Sequence, residues 1–326
     1  MFEFINLLNT VYRTISAEME GWFEPFPQGV AWNVFSDYCI GDPKKANDTF
    51  AFAIVLNHDT QANISEYISA VAPSDIKGSR SASDGLISYL KCPVVYSISY
   101  MVQKQTKLLR DYMTDDNIRA ALVDMRQVVA EMMKQLPEKV DHYRAVDKRL
   151  ASFETEMKRR SRNSGLARQI LLCAAFAAIL FRHLDAKKKP SFIRWISDRD
   201  AIFDKHDKVA FDLAYLYFHL HRMIAGQDGL QPEFLFGLPG WDGKNEYGEF
   251  IRIPDYLAGT LADITLPAMT FTHDKFAPVF RDVFVNGSNA ALIEILGSKE
   301  RITARRVAVS APIILKHGKK PASRRR

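Results

Sequence analysis

At 326 residues, with 47% hydrophobic and 25% charged side chains, the chain has the balance of a globular protein with a real core, and its length allows one large domain or two smaller ones. Three scattered cysteines, Cys39, Cys92 and Cys173, exclude a disulfide framework and a zinc knuckle, and fit reduced core thiols. The net charge of +6 is local: nine of the 44 Lys and Arg follow Glu300 with no acid among them, so the first 300 residues hold 35 bases against 38 acids.

Residues 1–29 read as an amphipathic helix to about residue 24 and a Pro- and Gly-containing loop. Met1 to Asn9 lacks the basic start and cleavage site of a secretory signal. The first strand is predicted over Val30–Tyr38 and the second over Thr49–Asn57, with Gly41-Asp42-Pro43 turning the chain between them. A helix follows over Ile64–Val71, capped by Asn63, then the loop Pro73–Ser79, a short helix over Asp84–Leu90 and a third strand over Val94–Val102.

From Lys104 to about residue 188 the apolar spacing is helical throughout, and the block reads as an insertion between strands three and four. Its apolar run Ile170–Phe181 is shorter than a membrane span, so a buried helix and a cytoplasmic protein are expected, with no membrane partner. The fourth strand is predicted at Phe192–Ser197, a helix at Lys208–Met223, a Gly- and Pro-rich connection from Gly226 to Gly248, and a fifth strand at Glu249–Ile253. Pro254 and Asp255 suit a helix start. Ala268–Leu296 reads as one or two packing helices, and residues 301–326 as a basic flexible tail.

The chemistry concentrates where apolar runs end in acids: Trp32-Asn-Val-Phe-Ser-Asp37, Ser191-Phe-Ile-Arg-Trp-Ile-Ser-Asp198-Arg-Asp200 and Ile251-Arg-Ile-Pro-Asp255. Carboxylates at strand ends lie where open α/β sheets place their sites, and converging carboxylates suit divalent cations. Each acid also has a plain structural reading: Asp37 as a turn residue, Asp198 as a cap, Asp255 as an acid at a positive helix N-terminus. His206 near Asp198 is a candidate for proton transfer, whereas His219 and His221, two apart, do not share a helix face as a zinc pair would. Gly237-Leu-Pro-Gly240 lacks the lysine of a phosphate loop and reads as a turn.

The chain resembles the bacterial and phage family catalogued as domain of unknown function 3800, of the ribonuclease H-like superfold. The stretches that carry the likeness are Phe35-Ser-Asp37-Tyr-Cys-Ile-Gly41-Asp42, Asp75-Ile-Lys77-Gly-Ser79, Ile196-Ser-Asp198-Arg-Asp200 and Ile251-Arg-Ile-Pro-Asp255-Tyr-Leu-Ala-Gly259, spread over about residues 30–265. Two positions depart from the family pattern: Tyr38 stands where a Glu follows the first Asp, and Asp75 where a Glu is usual. The resemblance implies an α/β fold, a ribonuclease H-like mixed sheet with flanking helices and a large helical insertion. Its core would be split into residues 30–103 and 189–300 around an insertion over 104–188. It also implies a metal-dependent phosphodiester hydrolase, a nuclease using Mg²⁺ or Mn²⁺.

On that reading Asp37, Asp198 and Asp255 are the primary ligands, Asp200 a further ligand, Asp75 a further catalytic acid and Lys77 a phosphate contact. Lys158, Arg159, Arg160 and Arg162, with Arg305 and Arg306 of the tail, would hold RNA or DNA through sequence-independent contacts. The alternative is a non-catalytic nucleic-acid- or protein-binding module on a degenerate fold of the same type. The helical insertion could also serve as a homo-oligomer surface.

Overall fold

The computed structural model describes residues 2–227, 230–240, 246–297 and 301–309. In chain order these hold α1 (Phe2–Tyr12), α2 (Ser16–Phe23), β1 (Ala31–Cys39), β2 (Asn47–Val55), α3 (Gln61–Val71), α4 (Asp84–Leu90) and β3 (Val95–Gln103). Then come α5 (Asp115–Gln135), α6 (Val140–Met157), α7 (Ser164–Lys188), β4 (Phe192–Ser197), α8 (Ala201–Asp204), α9 (Val209–Ile224) and β5 (Glu233–Gly237). The chain closes with α10 (Arg252–Asp263), α11 (Phe276–Val279), a π-helical stretch Phe280–Val285, β6 (Ala290–Gly297) and β7 (Ile302–Val307).

The seven strands form one mixed sheet in the order β5-β4-β1-β2-β3-β6-β7. β1, β2 and β3 run antiparallel in sequence, β4 and β5 add parallel on the far side of β1, and β6 adds parallel to β3 with β7 antiparallel at the edge. Alternation along each strand divides the core between two faces. Trp32, Val34, Phe50, Phe52 and Trp195 join a cluster with α1, α2, α7 and α9, whereas Phe35, Ala51, Ala53 and Ile196 join another with α3, α4 and α10. The result is three layers, helices on both faces of the sheet.

The apolar segment read as part of an insertion is instead the central helix of one face. Phe176 of α7 stacks on Tyr100 at 3.8 Å and meets Phe50 edge-on at 5.1 Å, while Phe181 meets Trp195 at 5.5 Å. Only α5 and α6 lie outside this layer, so the inserted part shrinks to roughly the segment before residue 164. α7 is also long and apolar enough to cross a membrane, but 83% of its most apolar window is buried inside the fold.

Four further expectations need correction. Thr60, not Asn63, caps α3, with its hydroxyl accepting from the Asn63 N–H at 3.2 Å, so the helix starts three residues before Ile64. Glu249–Ile253 is no strand: it is a 3-10 turn (Gly248–Ile251) leading into α10, in which Arg252 pairs with Glu249 at helical spacing. The fifth strand is Glu233–Gly237, where Phe234 and Phe236 pack on the core and Leu235 faces solvent, the alternation of a half-buried strand.

The C-terminal part differs more. Ala290–Gly297 is a strand, because Ala291, Ile293 and Ile295 are buried one way while Leu292 joins a small cluster with Met101 and Phe280 on the other. Residues 302–307 are not tail but β7, paired to β6 through registers such as Glu294↔Arg305, a match of opposite charges across the strands. The rest of the expected tail, from residue 310, lies outside the described residues.

Candidate functional site

The site is built by strand register. β1 and β4 run parallel with Phe35 beside Ile196 and Ser36 beside Ser197. One step further, Asp37 stands beside Asp198, whose N–H donates to the Ser36 carbonyl at 2.8 Å. Both acids therefore leave the sheet on the face covered by α10. α10 crosses β1 and β2 there, held by Asn47, whose Nδ2 donates to the carbonyls of Leu261 (2.9 Å) and Ile264 (2.7 Å), and by the Thr49 hydroxyl donating to Ala258 O at 2.9 Å. The first turn of α10 thereby carries Asp255 to the same place.

The Asp37 carboxyl lies close enough to Asp198 and Asp255 for their charges to act on it. Asp37 is 7% exposed and Asp255 6%. Burial, then the charges of Asp255 and Asp198, hold the Asp37 carboxyl well above the ordinary carboxylate range. Burial likewise pushes Asp255 up to about 6, against the N–H of Ile76, which donates to Asp255 Oδ2 at 2.8 Å. Asp198 is raised chiefly by burial, with Asp75 adding to the effect. Carboxyls this close repel one another when ionised, and a cation among them would relieve that repulsion.

Asp75 and Lys77 arrive on the loop between α3 and α4. The loop is fastened from above by Lys275, whose ammonium donates to the carbonyls of Ile76 (2.6 Å), Lys77 (3.0 Å) and Ser79 (3.0 Å). Its close seat on α10 needs Gly259: a Cβ there would stand 2.9 Å from Ile76 Cγ2. Asp75 is exposed but near enough to raise both Asp198 and Asp255. Burial pulls the Lys77 ammonium down, yet Cys39, Asp37, Asp255 and Asp198 outweigh it and leave the group raised. Asp200 has a structural task as well, accepting from the Ile202 N–H at 3.0 Å to cap α8.

Other expected residues lie elsewhere. Tyr38, next to Asp37, points to the opposite face, where its hydroxyl meets Ser36 (2.6 Å), Ser197 (2.9 Å) and the Cys173 thiol (3.2 Å). His206 is not beside Asp198. Its ring packs on Phe153 in a tilted arrangement at 4.2 Å and faces Glu156 at 3.5 Å. Lys158 pairs with Glu154 (2.5 Å), Arg162 with Asp115 (2.5 Å), Arg305 with Glu294 (2.6 Å) and Arg306 with Glu18 (2.6 Å), leaving Arg159 and Arg160 exposed without an ion pair among the described residues. Two contributors escaped the sequence reading: Lys275, and Lys45, which reaches Asp263 of α10 at 2.8 Å. Neither sits in a stretch whose pattern marks it.

The donor set is all carboxylate, which matches the oxygen preference of Mg²⁺ and Mn²⁺. As the side chains stand, however, no group of three or more His, Cys, Asp or Glu is disposed to hold a metal ion among the described residues. Comparison with protein-family models, with curated proteins and with solved structures finds no match to the chain.

Proposed function

We propose that the protein is a divalent-metal-dependent nuclease of ribonuclease H-like architecture, related to the domain of unknown function 3800 family, that hydrolyses phosphodiester bonds of nucleic acid. The observation that carries the reading is the convergence of Asp37, Asp198 and Asp255, from β1, the end of β4 and the start of α10, on one largely buried spot at one end of the sheet. Holding three carboxyls together, Asp37 and Asp255 buried and Asp198 half-buried, lowers stability, which supports a functional reason for keeping them. A layout of three antiparallel strands, then two parallel strands separated by helices α8 and α9, then a helix bearing an acid, supports the same reading.

In this proposal Asp37, Asp198 and Asp255 hold Mg²⁺ or Mn²⁺, with Asp75 and Asp200 at the margin. A bound cation would supply activation of water and charge stabilisation at phosphate. The chain's own residues do the positioning. The Ile76 N–H fixes the Asp255 carboxylate, Lys275 fixes the loop, and that loop presents Lys77 at the rim for a substrate phosphate.

The second reading, a non-catalytic binding module on a degenerate version of this fold, draws on the carboxyls not standing in ligating array and on the paired state of Lys158, Arg162, Arg305 and Arg306. One experiment separates them: cleavage of labelled RNA, DNA and RNA–DNA hybrid with Mg²⁺ or Mn²⁺, comparing wild type with Asp198→Asn. Metal-dependent cleavage lost in the variant supports the nuclease. Binding without cleavage by both proteins overturns it in favour of the module.

A further inference from the structure

On the sheet face opposite the acids, an open cavity of about 650 Å³ lies between the first turns of α5 and α7. Thr114, Asp115 and Asp116 line it from α5, and Ser164 and Arg168 from α7. Both helices are long, 21 and 25 residues, so each N-terminus directs N–H groups and the positive end of its dipole at this space.

The side chains balance unevenly. Asp115 is answered by Arg162 at 2.5 Å, Asp116 by Arg119, and Asp111 by Arg110 at 3.6 Å. Arg168 is left over. It is 7% exposed, its Nε is buried without a partner, and no hydrogen bond or ion pair of its guanidinium forms among the described residues. A buried guanidinium without a hydrogen-bonding partner is costly, and burial holds its pKa below the ordinary arginine range although the charges of Asp115 and Asp111 offset part of that cost. A doubly hydrogen-bonding oxyanion at two helix N-termini would answer that charge.

We propose that this cavity is a phosphate-binding site, with Arg168 as its buried anchor and Arg162, Arg119 and the N-termini of α5 and α7 as its walls. A phosphate from either of two sources would fit: free inorganic phosphate, or a backbone phosphate of nucleic acid. The position favours a link to the acids, because Gln169, next to Arg168, approaches Gly41, four residues beyond Asp37 and at the same end of the sheet. The phosphate site itself does not rest on the nuclease reading.

The test is thermal melting of the full chain in chelator, titrated with inorganic phosphate, for wild type, Arg168→Met, Arg168→Lys and Asp198→Asn. Wild type and Asp198→Asn should rise in melting temperature with the logarithm of phosphate concentration, Arg168→Met should bind about tenfold or more weakly, and Arg168→Lys should fall between them. Absence of any phosphate response in folded wild type, or an equal response in folded Arg168→Met, overturns the site. Should both Arg168 variants fail to fold, Arg119→Ala, on the exposed rim, takes their place, and an undiminished response there counts against the proposal. Single-stranded oligonucleotide binding then assigns the source: affinity lowered by Arg168→Met and competed by phosphate supports a backbone phosphate, and unchanged affinity supports the free ion. Because no divalent metal is present, failure here leaves the nuclease reading intact, and failure of metal-dependent cleavage leaves the phosphate site intact.

Discussion

Replacing Asp255 by Asn should stabilise the metal-free protein at neutral pH. In the folded state the Asp255 carboxyl titrates at about 6 instead of 3.8, and a shift of this size corresponds to about 3 kcal/mol at about 1.36 kcal/mol per unit. The sign follows from proton binding. Between pH 3.8 and about 6 the folded state holds a proton that the unfolded chain has released, so stability falls as pH rises through that window and stays low above it. Asn carries no charge, and its carbonyl oxygen can still accept from the Ile76 N–H. The variant should therefore match wild type near pH 3 and exceed it by about 3 kcal/mol above pH 7. With an unfolding entropy of about 2.1 cal/mol/K per residue, that is about 4 °C in melting temperature for a chain of this length. The assay is calorimetric melting of both proteins in chelator across pH 3 to 8. A variant that melts at or below wild type at pH 7.5 would refute the argument that burial leaves the ionised Asp255 carboxylate uncompensated, and with it the physical case for a cation there.

Three other outcomes are expected. Phe176→Ala removes a fully buried ring that touches Tyr100, Phe50 and Phe4, and urea unfolding should show a loss of about 3–5 kcal/mol. Lys275→Met removes three hydrogen bonds to the loop carrying Lys77, so amide exchange at residues 76–79 should accelerate well before global unfolding, with a cost of about 2 kcal/mol by denaturant titration. Tyr38→Phe should cost about 1–2 kcal/mol by leaving Ser197 without its partner, yet leave any metal-dependent rise in melting temperature unchanged.

How much of this was legible in the sequence depends on how local the determining interactions are. β1 and β4 announce themselves as apolar, β-branched and aromatic runs ending in acids, and both fall within a residue of where the pattern puts them. α4 has a serine cap, Ser83, and the bounds its pattern gives. β6 fails because Ala290–Gly297 carries apolar residues on both of its faces, which erases the two-residue period and leaves a run that reads equally as a helix. β7 was hidden by its charges. Arg305 and Arg306 look like tail residues until Glu294, fully buried on β6, and Glu18 on α2 are seen opposite them. Lys275 could not have been found, since it acts on backbone carbonyls about 200 positions away and any lysine at that place would look the same in sequence.

The departure at Tyr38 takes on a different meaning once strand geometry is considered. Successive side chains of a strand point to opposite faces, so the residue after Asp37 cannot join a ligand set built on the Asp37 face without a break in the strand. β1 has no such break: its register with β2 is continuous from Asn33 to Cys39, and with β4 from Ala31 to Ser36. A Glu at position 38 would enter the α7 face, among Phe50, Phe52 and Phe203, where a carboxylate would cost several kcal/mol. Tyrosine fits there because its ring packs and its hydroxyl meets three partners. In this chain, then, position 38 belongs to the core and the capacity of the acid face is set by Asp37, Asp198 and Asp255, with Asp75 at its exposed rim. That is why a substitution on the acid face, and not one at Tyr38, is the informative place to perturb the site.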